Sequence, residues 1–76
     1  NLNNMTHILI FKTNIETDDH HHHLSTVLDP HPLILNWHVD REDVDKVLRI
    51  ESAQNISHEI ISSIKQVGLH CEELPD

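Results

Sequence analysis

The densest set of ligating side chains in this 76-residue chain is Asp18-Asp19-His20-His21-His22-His23. Carboxylate oxygen and imidazole nitrogen suit Zn(II), Ni(II), Co(II) or Cu(II), where Cu(I) prefers thiolate. If the stretch is helical, His20 and His23 share a face and Asp19 lies one turn before His23. Those three, with Asp18 beside them, make a workable start for a tetrahedral divalent site. A plainer reading competes with it: Asp18 and Asp19 complement the dipole of a helix start whose exposed face happens to carry imidazoles. Four adjacent histidines also retain added nickel or zinc weakly in any setting. Their internal position, at the start of an amphipathic pattern, marks them as part of the domain and not as a terminal tag.

The elements that must position these residues follow from the patterning. Ile8-Leu9-Ile10-Phe11 is β-branched and aromatic and predicts a first strand over about residues 7–13, apolar on both faces. Thr17 is a good N-cap for a helix from Asp18 to Leu28, with Leu24, Val27 and Leu28 on its buried face. Asp29-Pro30-His31-Pro32 ends that helix. Leu33 to Val39 reads as a second strand, Trp37 and Val39 inward and Asn36 and His38 outward. A charged turn, Asp40 to Asp45, leads to a third strand over 46–51, and the short connection makes the pair a hairpin. Ser57 is the expected N-cap of a second helix, with Ile56 and Ile61 as a hydrophobic staple. Ile60, Ile61, Ile64 and Val67 form its apolar stripe, Gly68 closes it in a left-handed conformation, and Leu69 to Glu73 forms the last strand.

The order βαββαβ predicts an α+β ferredoxin-like sandwich, in which two helices cover one face of a four-stranded antiparallel sheet. The chain is one domain at most, near the size at which a core needs help from a partner, a dimer or a metal. Residues 1–4, ahead of Met5, are expected to lie outside the fold. Five Lys and Arg against thirteen Asp and Glu give a formal charge of −8, which argues against binding a nucleic-acid backbone. The single cysteine, Cys71, has no internal disulfide partner and reads as a small buried hydrophobe. No run approaches the about 18–20 apolar residues of a membrane span, and no secretory signal pattern is present, so the expected location is cytoplasmic.

From about His7 to Glu73 this spacing resembles the heavy-metal-associated domain of copper chaperones and metal-transporting ATPases. That family shows Gly-Met-x-Cys-x-x-Cys, followed by apolar residues at fixed intervals and Val-Asn at the end of the second strand. Leu24, Leu28, Ile34 and Val39-Asp40 fall at those intervals, and Gly68-Leu69 resembles the Gly-aromatic pair before the last strand. Asn14-Ile15 takes the place of Gly-Met, and Thr17 and His20 take the two cysteine positions. Lys12-Thr13-Asn14 and Val47-Leu48-Arg49 also resemble small bacterial members of the superfamily. The resemblance implies a metal loop between the first strand and helix, while the missing thiols make Cu(I) relay in the family's manner an unsuitable chemistry.

The expected function is thus a small metal-binding or metal-handling domain whose site is His20, His23, Asp19 and Asp18, taking Zn(II), Ni(II), Co(II) or Cu(II). The topology places Asp40 to Asp45 and His70-Cys71 at the same end as a cation-attracting rim. The alternative is a domain that keeps the fold as a protein-interaction or dimerisation module without metal, through an uncovered sheet face carrying Leu9, Phe11, Val47 and Arg49. His7, His31 and His58 are expected at the opposite end as surface residues. Catalysis is not expected: no nucleophile, base and orienting group assemble from any motif, and Glu42-Asp43 lack an apolar surround.

Overall fold

In the computed structural model, which describes residues 6–75, the chain runs β1 (His7–Thr13), α1 (Asp18–Leu28), β2 (Ile34–Asp40), β3 (Val47–Ser52), α2 (Ser57–Gln66) and β4 (Cys71–Glu73). The four strands form one antiparallel sheet in the order β2-β3-β1-β4, the ferredoxin-like arrangement expected from the element order. Expected and observed boundaries agree for β1 and α1, and differ by a residue or two elsewhere. Residues 1–4, expected outside the fold, lie outside the described residues. Among the described residues no helix is long and apolar enough to cross a membrane.

The core lies between the sheet and the two helices. It comprises Leu9, Phe11, Val39, Leu48, Ile50 and Cys71 from the strands, Leu24, Leu28, Ile60 and Ile64 from the helices, and Ile15 and Leu69 from the connections. The assignment of β1 faces needs correction. Leu9 and Phe11, expected on the uncovered face, are buried against the helices, and Ile8 is 40% exposed on the other side. The register explains the inversion: Leu9 is opposite Ile50 and Phe11 opposite Leu48, whereas Ile8 is opposite Glu51 and Ile10 opposite Arg49. Opposed residues share a face, and Arg49 and Glu51 must face water, so the parity of β3 dictates that of β1. Val47 and Arg49 do lie on the uncovered face, with Ile8 and Ile10 in place of Leu9 and Phe11.

Helix starts and stops follow local chemistry with one exception. Ser57 is not the cap of α2 but its first residue, and Ile56 stands at the N-cap with no side-chain cap bond. The Asn55 carboxamide oxygen accepts from both the Ser57 N–H and its hydroxyl, an Asx turn that captures the serine before it can cap. Ile56 and Ile61 still pack against the core, but Val67 turns out to solvent. At the other end Gly68 has φ 85°, its N–H donates to the Lys65 carbonyl, and the Leu69 N–H reaches back to Ile64. That pair of bonds is a Schellman closure, which needs the left-handed conformation glycine adopts most cheaply.

Candidate metal centre

The β1–α1 loop, the β2–β3 turn and the α2–β4 turn meet at one end of the sandwich, as the topology requires. Thr13 organises the junction. Its N–H donates to the Asp45 carbonyl at 3.0 Å, its buried hydroxyl donates to the Lys46 carbonyl, and the same oxygen accepts from Ile15 N–H at 3.2 Å. Asn14 Oδ1 accepts from His70 N–H at 2.9 Å and ties in the third connection. Ile15 is wholly buried and plugs the loop onto the core.

The start of α1 is closed by a reciprocal cap. Thr17 Oγ1 accepts from His20 N–H at 3.0 Å, and His20 Nδ1 accepts from the N–H groups of Glu16 at 3.1 Å and Thr17 at 3.3 Å. Thr17 and His20 therefore satisfy each other's backbone, with an imidazole nitrogen where a capping box ordinarily has Glu or Gln. A lone pair on Nδ1 puts the ring proton on Nε2. For His20 to ligate through Nε2 as a neutral ring, that proton must move to Nδ1, which ends the cap. Replacing His20 by Gln, which preserves the reach, is expected to leave thermal stability within about 0.5 kcal/mol, whereas His20→Ala or Thr17→Ala costs about 1 kcal/mol, read from denaturation curves.

Asp18 is engaged as well. Arg41, from the β2–β3 turn, donates from Nη1 to Asp18 Oδ1 at 2.9 Å and from Nη2 to the Glu16 carbonyl at 2.8 Å. The pair is exposed and adds little stability, but it sets a guanidinium at the mouth of the loop. The acidic rim is further offset by Lys12, 3.7 Å from Asp45, and by Lys46, whose ammonium donates to the Arg41 carbonyl at 3.0 Å. His21 is half-buried and packs tilted against Trp37, ring centroids 5.0 Å apart at 37°, while the indole N–H donates to Asp29 Oδ1 at 2.8 Å. The rings of His22 and His23 stand 6.2 Å apart. Asp19 and His23 are exposed and take part in none of the bonds above. Of the four candidate ligands, two are committed to local structure, and among the described residues no three His, Cys, Asp or Glu side chains are grouped to hold an ion.

Cys71 sits at the same end but offers no thiolate. Burial pushes its thiol up to about 12 against the opposing pull of Lys65. The folded chain holds this proton while an unfolded chain, near the ordinary 9.0, releases it, so stability is retained below pH 9 and declines as pH rises from there toward 12. Alkylation of Cys71 is accordingly expected to be slow in the native protein at pH 8 and fast in denaturant, with rates followed by mass spectrometry. This donor set does not fit Cu(I).

Sequence reasoning missed Arg41 and the capping role of His20. The second was available: Thr-x-x-His has the spacing of a capping box, with the ring nitrogen replacing a carboxylate oxygen.

The four strands, two helices and loop geometry define the class of fold: that of heavy-metal-associated domains. The chain is similar to the apo HMA domain of the copper chaperone for superoxide dismutase, TM-score 0.78 at 13% identity, over 93% of this chain and 69% of that one. It is similar also to the N-terminal domain of PacS from Synechocystis PCC6803, TM-score 0.74 at 7% identity, over 91% and 98%. A third likeness is to the yeast copper transporter domain Ccc2a, solved in apo and Cu(I)-loaded states, TM-score 0.72 at 17% identity, over 91% and 96%. No family model and no curated protein matches the chain in sequence.

Proposed function

We propose that this domain handles a divalent transition-metal ion, Zn(II), Ni(II), Co(II) or Cu(II), at its loop end, with Asp19 and His23 as the anchoring ligands. The observation that carries this reading is the division among the four candidates: Asp18 and His20 are held by Arg41 and by the cap, while Asp19 and His23 stand exposed one turn apart on α1. Carboxylate and imidazole donors suit a divalent ion. With two anchors, the remaining positions go to water or to a partner's side chain, an arrangement suited to rapid loading and release. His20 and Asp18 enter the coordination shell only by giving up their present bonds. Calorimetric titration with zinc and nickel tests this. Asp19→Asn and His23→Gln should each weaken binding at least tenfold, and His20→Gln and His22→Gln by less than twofold. Equal affinities for the parent, Asp19→Asn and His23→Gln would reduce any binding to the background of a histidine run and overturn the proposal.

A second reading is favoured by the cap itself, in which Thr17 and His20 side chains take up the backbone N–H groups at the loop: the fold serves as a docking or dimerisation module. Its surface would be the uncovered sheet face of Ile8, Ile10, Val47 and Arg49. A monomeric mass by light scattering at high concentration, unchanged in Ile8→Ser, would remove dimerisation through that face.

A further inference from the structure

The sheet has two edges of unequal character. β4 is three residues long, whereas β2 has seven and contains neither proline nor lysine, two residues that commonly blunt an edge. Among the described residues β2 pairs with β3 on one side only, and beyond the irregularity between Ile34 and Asn36 its register is unbroken to Asp40. Alternate N–H and C=O groups of that segment therefore point away from the sheet. An open cleft of about 570 Å³ runs between this strand and α1, its walls including His21, His22 and Ser25 on one side and Trp37, His38 and Arg41 on the other. The indole wall is held by the tilted His21 ring and by Asp29 on its N–H.

We infer that this cleft is a docking site for an extended segment of another protein, which adds as a fifth strand antiparallel or parallel to β2 and carries alternating apolar and basic side chains. An exposed edge beside a helix provides what strand addition needs: main-chain bonds for affinity and a cleft that reads every second side chain. Residues on the helix side of the added strand meet Trp37 and His21 and are best apolar. Those on the other side lie alongside Asn36, His38 and Asp40, the outward-facing residues of β2. Asp40 stands on that outward side, the cleft itself carries Asp29 and the Asp18–Arg41 pair, and the chain as a whole has a formal charge of −8. That balance favours Lys or Arg. A second copy of the chain would bring another formal charge of −8 to the same edge and is disfavoured by repulsion. The inference is independent of any metal at the loop end.

An eight-residue peptide of alternating Val and Lys, its glutamate counterpart and two N-methylated versions test this. N-methylation of alternate residues removes the donors on one edge of the peptide only, and leaves the protein intact. The expected result is a change in Trp37 fluorescence and slowed amide exchange in alternate residues of 36–40 with the Val-Lys peptide. One N-methylated version should lose at least tenfold in affinity and the other little, and the glutamate peptide should bind at least tenfold more weakly. Absence of binding, equal binding of the glutamate peptide, or protection outside β2 would overturn the proposal. So would a doubled mass by sedimentation with the same amides protected in the absence of peptide, which would identify the occupant as a second copy.

Discussion

Phe11→Ser is expected to leave the protein largely unfolded at 25 °C, while Ile8→Ser, three positions earlier in the same strand, costs about 1 kcal/mol or less. The difference lies in which way each side chain points. Phe11 has no exposed surface and packs at the centre of the sheet, opposite Leu48 on β3 and Glu73 on β4. Removing a fully buried phenylalanine costs about 3–5 kcal/mol before the hydroxyl's burial is counted. A domain of this length has a total stability of about 4–11 kcal/mol, so one such loss consumes much or all of it. Trp37, the sole tryptophan, reports the transition by fluorescence during guanidinium denaturation. Comparable losses at the two positions would contradict the assignment of β1 faces.

Thr13→Val is expected to cost about 2–4 kcal/mol although it changes neither shape nor volume appreciably. Valine cannot replace the hydroxyl that donates to the Lys46 carbonyl and accepts from Ile15 N–H, so two inward-facing backbone groups lose their partners together. Lys46 adopts φ 46°, a left-handed conformation unusual for a residue with a side chain, and the Thr13 bond to its carbonyl is one of the contacts that hold it. Thr13→Ser retains the bonds and loses one methyl, about 1 kcal/mol. Denaturation midpoints order the variants, and faster exchange at the Ile15 amide in Thr13→Val but not Thr13→Ser locates the effect in the loop. Equal destabilisation by the two substitutions would assign the cost to packing and not to the hydroxyl.

Local signals in the sequence were sufficient for most of the fold. Thr17 before two aspartates, proline after Leu28, and Gly68 after an isoleucine stripe define helix limits through their own backbone chemistry, and these are where expectation and structure coincide. β1 was harder because Ile8-Leu9-Ile10-Phe11 is apolar on both faces, so its alternation carries no direction. The direction is written in β3, where Arg49 and Glu51 alternate with Leu48 and Ile50, and it becomes readable once the two strands are set opposite each other. Ser57 failed as a cap because Asn55, two residues earlier, competes for it. At the loop end the candidate ligand types were legible and their availability was not. Asp18 is taken by Arg41, 23 positions away along the chain, a contact that no periodicity announces. His20 has the residue type of a ligand, but at the third residue after an N-cap its imidazole serves as the capping acceptor.

His20 caps α1, so the proposed metal site falls to Asp19 and His23. Two-dimensional NMR of the imidazole nitrogens, recorded at neutral pH before and after zinc is added, tests this directly. The predicted spectrum shows His20 with an unprotonated Nδ1 and a protonated Nε2, unchanged by zinc while the His23 nitrogens shift. Zinc-induced shifts that appear first at His20, with loss of its Nε2 proton, would contradict the account.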